Sequence, residues 1–256
     1  MTRIESRPDH SPGLSLRHKR RADLLPYALV APICLLLLAI SLYPSLYAIR
    51  LALTDASLLR LAQAKFIGLH NFVRLVNDQI FVQGLWRTLR WDVAVVLTQM
   101  AIALPIALFL NLNFRGRGVV RAAMLVPYII PPAVTALLWL YMFDGHFGVA
   151  NDLMVKLGIL DQYVSWLSDP TGSFAVVVAA MVWAGQPLMA LILLAVLQTI
   201  PGELYEAATV DGANPWERFR YITLPHLIPT ILFLLLLRTI WMSNHIDVIF
   251  IMTRGG

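Results

Sequence analysis

The residues of this 256-residue chain that could do chemistry are few, and the first to weigh are polar side chains set in apolar sequence. Arg238, Asn244, His245 and Asp247 fall in one apolar stretch, and Asp92 and Gln99 in another. An ionisable group in hydrocarbon is costly, so such residues turn toward a bundle interior or a polar pathway. Asn244 and Asp247 stand three apart, the spacing of a shared helix face. Trp241 adds an aromatic surface beside them, and planar hydrogen-bonding groups with an aromatic plane suit a polyhydroxylated solute. Two readings stand for Arg238 and Asp247: solute contact, or pairing with neighbouring helices to hold the bundle.

Other chemistry is missing from the sequence. There is no G-x-x-x-x-G-K-[ST] loop to cradle a nucleotide phosphate, so ATP hydrolysis by this chain is not expected. His10, His18, His70, His146, His226 and His245 are scattered without helically spaced partners, so neither a metal site nor a catalytic cluster is predicted. The lone Cys34 lies inside the first apolar run and reads as a small hydrophobe. The expectation is a non-catalytic chain with no cofactor of its own.

Composition explains where these polar residues must sit. Hydrophobic residues make up 59% and charged residues 14%, with a mean hydropathy of +0.70. A soluble domain carries about 25% charged residues, so this is a membrane protein. The net charge of +5 does not point to nucleic acid, because the basic residues flank apolar runs as anchors do. The predicted class is all-α, a polytopic transmembrane helix bundle. About five stretches are long enough to cross a ~30 Å hydrocarbon core: Leu24 to Leu53, Leu85 to Leu110, Val119 to Phe143, Phe174 to Gln198 and Leu227 to Met252.

Orientation follows from charge. Residues 1–23 form a basic tail, and Arg17, Lys19, Arg20 and Arg21 precede an apolar run too long for a cleaved signal, so the first span is an uncleaved signal-anchor. With Arg115, Arg117 and Arg121 on the second connection, the bias puts the N-terminus in the cytoplasm, although Arg60, Lys65, Arg74, Arg87 and Arg90 weaken it. Residues 24–256 then form one transmembrane domain, with external loops 54–84 and 144–173 and a cytoplasmic connection 199–226. Pro127, Pro131 and Pro132 interrupt the third span; either the bundle merely tolerates them or they kink a pathway-lining helix.

The 199–226 connection is the most informative segment. Pro201 opens a helix with Glu203 and Glu206 in its first turns, where carboxylates suit the dipole. Asp211-Gly212 ends it at a left-handed position. Asn214-Pro215 starts a second short helix that Leu224-Pro225 closes before the next span. Such a pair makes a rigid knob for transmitting a push, or an interfacial pair resting on lipid headgroups.

The spacing Glu206-Ala207-Ala208, Gly212, Ile222-x-Leu224-Pro225 closely resembles the coupling loop of ABC-importer permeases. Trp183, Pro187 and AVLQTIPGELYEAATVDGA, RTIWMSNHIDVIFIMTRGG from Arg238 on, and FIGLHNF at Phe66 to Phe72 resemble carbohydrate permeases of the maltose-transporter type. The resemblance is strong from Trp183 on and fainter before it. It implies that Glu206, Ala207, Ala208, Asp211, Gly212, Ala213, Ile222, Leu224 and Pro225 couple to an ATPase. It also implies a second related permease, two cytoplasmic ATPase subunits holding ATP and Mg, an external solute-binding protein, a sugar substrate and the plasma membrane of a prokaryote. Asn244, Asp247, Trp241 and Arg238 are the substrate-pathway candidates. Family members often carry Phe where Ile246 precedes Asp247, which leaves the solute open. They also continue past a Gly-Gly pair, so a sixth span is expected beyond Gly256. The alternatives are a permease for glycerol 3-phosphate or another polar solute, an ion-coupled transporter, which lacks a visible inverted repeat, and a membrane-embedded enzyme, which lacks a catalytic cluster.

Overall fold

The computed structural model describes residues 15–57 and 64–255 of the chain, and among them every regular element is helical. The backbone divides into two units, residues 1–82 and 83–256.

In the first unit, α1 (Ser15–Leu37) passes through a π segment (Leu38–Leu42) into α2 (Tyr43–Ala52) without a break. The residues before Ser15 in the expected basic tail lie outside the described residues. Leu25–Ala52 is long and apolar enough to cross a membrane. After it, an isolated bridge pairs Thr54 with Phe66, and α3 (His70–Asn77) follows. Asn71 Nδ2 donates to the carbonyls of Ala52 at 2.9 Å and Thr54 at 2.8 Å, satisfying oxygens that the end of α2 leaves free. The FIGLHNF segment is therefore a clasp across the loop's two ends.

The second unit takes up α4 (Gln79–Asn111) from residue 83 on and contains α9 (Pro170–Leu197); both are long apolar helices that reach further toward their N-termini than the hydropathy edges at Leu85 and Phe174 indicate. Asp169 starts α9 by accepting from the backbone of Thr171 and Gly172. Between them, α5 (Arg117–Met124) and α6 (Val126–Ile129) are set at 94° to α7 (Pro132–Met142). The expected third span is thus not one straight crossing. Ile130 and Pro131 are extended, because the residue before a proline is driven out of the helical region and Pro131 and Pro132 offer no amide to continue the ladder. α8 (Val149–Lys156) sits inside the following connection, where buried Asn151 holds Asp144, Val164 and Trp166 together through both ends of its amide.

After α9 come α10 (Gly202–Val210), α11 (Pro215–Arg218), a π-turn (Phe219–Thr223), α12 (Leu224–Ser243) and α13 (Asp247–Thr253). Here two expectations fail. Leu224-Pro225 does not close the second short helix; the helix runs on, because the π-turn absorbs the amide that Pro225 lacks, with Leu224 N–H reaching back to the Phe219 carbonyl. The fifth span does not continue to Met252 either. It stops at Ser243 and restarts at Asp247. Among the described residues, four helices are long and apolar enough to cross a membrane, or five if the bent pair counts as one.

The interior of this unit has two apolar layers. One joins Met100, Ala103 and Ala107 of α4 to Met189 and Leu193 of α9 and Leu234 of α12. The other joins Val95 and Val96 of α4 to Val177 and Met181 of α9, Ala136 of α7 and Met242 and Val248 near the second break.

Candidate functional site

Between the two layers each long helix contributes one residue that interrupts the apolar pattern: Gln99 from α4, Gly185 from α9 and Arg238 from α12. Gln99 is fully buried and Arg238 is 5% exposed. Gln99 Nε2 donates to the Met181 carbonyl at 2.7 Å, which fixes the amide and turns its oxygen to Arg238, whose Nε donates to it at 2.9 Å. A hydrogen bond to a charged group is worth about 1.5–3 kcal/mol. Gly185 makes the arrangement sterically possible, since a β-carbon there would collide with Arg238 Nη2 and Gln99 Nε2. Arg238 Cζ also lies 5.6 Å from the centroid of the Trp241 ring, within cation–π range.

Gly185 and Arg238 of this layer line a cavity of 410 Å³, inside the range of small-ligand sites. Its walls come from both helix breaks: Tyr128, Ile130 and Thr135 around the Pro131-Pro132 bend, and Trp241, Asn244 and His245 at the end of α12. Non-helical backbone at membrane depth is tolerated where it lines such a space. Buried Thr135 Oγ1 and His245 Nε2 have no hydrogen-bond partner among the described residues, so this wall carries unspent polar capacity.

Of the pathway candidates, Arg238, Trp241 and Asn244 line the cavity, and Asp247 does not. Asn244 and Asp247 share no helix face, because Asn244 caps α12 and Asp247 begins α13. One N–H of Asn244 Nδ2 donates to the Ile240 carbonyl at 2.8 Å. Arg238 makes no ion pair among the described residues, where the one salt bridge is Lys156–Asp152 at 2.7 Å. Of the second-span residues, Gln99 belongs to the layer. Asp92 accepts from Ser243 at 2.6 Å beside Trp91, whose indole donates to the Met242 carbonyl. Gly185, Tyr128 and Thr135 were not singled out in the sequence; a glycine inside the apolar run beside Gln186 and Pro187 was the available signal.

The 199–226 segment forms a second site. Pro201 caps α10, which carries Glu206, Ala207 and Ala208 and ends at Asp211. Gly212 has φ +82°, the left-handed region that favours glycine. Ala213 N–H then reaches the Ala208 carbonyl at 2.8 Å, closing the turn. Asn214 and Glu217 form a capping box on α11, with bonds of 2.7 and 3.0 Å. Ile222 packs against the first apolar layer, while Val210, Trp216 and Tyr221 stand exposed. Glu206, Asp211 and Gly212 are exposed along the same bend, and Leu224 and Pro225 begin α12.

Residues 99–256, which contain both sites, match the family described as the binding-protein-dependent transport system inner membrane component. The chain belongs to this family. It is therefore a permease subunit of a transporter and a multi-pass inner-membrane protein. Among its relatives, the trehalose/maltose transport system permease protein MalF of Thermococcus litoralis is 35% identical over 95% of this chain and 82% of its own length. The sulfoquinovosyl glycerol transport system permease protein SmoG of Agrobacterium fabrum is 36% identical over 91% of this chain and 75% of its own. The fold is also that of a bacterial ABC transporter that imports the acidic polysaccharide alginate, with TM-score 0.75, 25% identity, and coverage of 93% of this chain and 80% of that one. A permease of this family needs a solute path and a point of contact with its energy source.

Proposed function

We propose that this permease carries a sugar or sugar-like solute through the 410 Å³ cavity, driven by ATPase subunits that seat against the loop from Glu206 to Gly212. The observation that carries the reading is the meeting of two broken helices over the Gln99–Arg238 layer. Broken helices at midplane depth are how transporters present polar groups to a solute. Arg238, Trp241, Tyr128 and Thr135 supply donors, an aromatic face and a free hydroxyl, the groups that recognise a polyhydroxylated ring. The relatives named for trehalose, maltose and sulfoquinovosyl glycerol support the same solute class. For a phosphate-bearing solute such as glycerol 3-phosphate, Arg238 alone offers little charge.

The partners in this reading are a second related permease, two cytoplasmic ATPases that hold ATP and Mg, and an external solute-binding protein. A neighbouring alginate transporter has been seen in complex with its solute-loaded periplasmic protein. The N-terminus lies in the cytoplasm, as does the 199–226 loop, with 54–84 and 144–173 outside; residues 1–23 are the basic tail and 24–256 the transmembrane domain. The ATPases bear on Glu206, Ala207, Ala208, Asp211, Gly212 and Ala213, while Ile222, Leu224 and Pro225 join that contact to α12. Alternating access then follows as a two-state rocking of the bundle.

The test is ATP hydrolysis by the reconstituted complex, with and without binding protein loaded with candidate sugars, for the native chain and Gly212→Pro. Proline cannot adopt φ +82°. Stimulation by loaded binding protein that disappears in the variant, with assembly intact, supports the reading. A variant that responds like the native chain sinks it.

A further inference from the structure

The two arms of the bent loop are joined by more than the backbone. Tyr205, on α10, places its hydroxyl 2.9 Å from Thr223 Oγ1 at the end of the π-turn. Thr223 Oγ1 in turn reaches the Arg218 carbonyl at 3.5 Å. Arg218 Nη1 donates to Thr209 Oγ1 at 3.1 Å, and Thr209 Oγ1 donates to the Tyr205 carbonyl at 2.7 Å. These contacts close a ring through Tyr205, Thr223, Arg218 and Thr209.

The members of this ring differ in setting. Thr209 and Arg218 meet at the surface, where water competes for every bond. Thr223 is 6% exposed, and Tyr205 packs against the first apolar layer. In that setting a hydroxyl pair keeps its geometry, and losing one partner strands the other. Thr223 also lies four residues before Leu227, one helix turn away on the same face, and Leu227 is fully buried in the layer that grips α12. The π-turn adds one residue ahead of it and so sets the phase, about 100° of rotation, that turns Thr223 toward α10 rather than away.

We propose that the Tyr205–Thr223 hydrogen bond is the latch through which a displacement of α10 reaches α12, the helix that carries Arg238 into the cavity. The proposal rests on the coupling reading given above. Without the latch, α10 is joined to α12 through the bend at Gly212, through surface bonds and through the non-directional packing of Tyr205 on the apolar layer, and a push on α10 flexes the bend more than it moves the span. Tyr205 and Thr223 are positioning residues; neither is assigned contact with nucleotide or solute.

The experiment uses the full reconstituted complex and the ratio of hydrolysis with sugar-loaded binding protein to hydrolysis without it. Tyr205→Phe and Thr223→Val each remove one hydroxyl and little volume. Each is expected to lower the ratio by about fivefold, the weight of one intramolecular hydrogen bond of ~1 kcal/mol, with assembly retained. The double variant is expected to be no worse than the poorer single one, because both act on the same bond. Thr223→Ser, which keeps the hydroxyl, is expected to hold the native ratio. An unchanged ratio in the singles, losses that add in the double, or failure of Thr223→Ser to hold the ratio overturns the latch. Gly212→Pro run alongside separates the two ideas. If it uncouples while the hydroxyl variants do not, the latch alone falls; if it behaves as native, the coupling reading falls and takes the latch with it.

Discussion

The cavity layer and the bent loop reach rigidity by opposite means. At the cavity, three helices distant in sequence each give one residue, and the geometry is held by burial: Gln99 is fixed by the Met181 carbonyl, Arg238 by Gln99, and the space for both by Gly185. At the loop, residues close in sequence hold one another through a capping box, a left-handed glycine and a ring of hydroxyl bonds, with every side chain of the box and ring except Thr223 exposed or half-buried. A buried charge cannot move without stranding a partner, so the cavity suits selection of a solute. An exposed but internally braced loop can be gripped from outside and moved as a body, which suits transmission.

The largest effect that would break this contrast lies at Arg238. Arg238→Met keeps much of the side chain's length while removing the charge, leaving Gln99 Oε1 buried without its donor. An interaction of about 1.5–3 kcal/mol is lost, so uptake at low sugar concentration is expected to fall by about 10- to 150-fold. Hydrolysis in the absence of binding protein should persist, because the loop is untouched. Uptake assays in proteoliposomes beside hydrolysis assays separate the two. Loss of both activities in a correctly assembled complex would show that cavity and loop are not separate devices.

A smaller effect is expected at Gly185. In Gly185→Ala the new methyl meets Arg238 Nη2 and Gln99 Nε2, and overpacking of this kind costs about 1–3 kcal/mol. The thermal midpoint of the purified permease should drop. Apparent affinity for sugar, read as KM for uptake, should weaken more than the maximal rate, because the guanidinium is displaced and not removed. A midpoint and KM both at native values would mean that the layer is looser than its contacts indicate.

The same contrast explains what the sequence made legible. Almost every feature of the loop was readable because its causes are local: Pro201 and Asn214-Pro215 as helix starts, Gly212 as the left-handed stop, and the Glu-Ala-Ala spacing as a family mark. The exception was Pro225, taken as a terminus because the π-turn that carries the helix past it has no strong local signature. The cavity was legible only in part. Polar residues in apolar runs pointed to Arg238 and Gln99, but their meeting depends on how α4, α9 and α12 pack, which helical periodicity does not encode. Asp247 was misplaced with Asn244 because continuous hydropathy from Leu227 to Met252 hides the break after Ser243. The prolines at 127, 131 and 132 did announce a disturbance, and the 94° bend supplied its size.

The smallest expected effect compares two substitutions at Gly212 and separates backbone strain from crowding. A β-carbon at Gly212 meets nothing within 4 Å, unlike the one at Gly185. Any penalty at Gly212 therefore comes from its φ of +82°, which costs an ordinary residue about 1–2 kcal/mol. Asparagine tolerates the left-handed region better than alanine. Gly212→Asn is accordingly expected to retain more binding-protein-stimulated hydrolysis than Gly212→Ala, although it is the larger residue. At Gly185 the order reverses, since asparagine brings more atoms into a filled space and should be worse than alanine. The paired ranking is measured in one hydrolysis series, and the contrast rests on the crossing of the two orders. If size sets the ranking at both glycines, the loop is clasped by packing as the cavity is, and the division of the permease into a buried selector and a braced surface lever has to be given up.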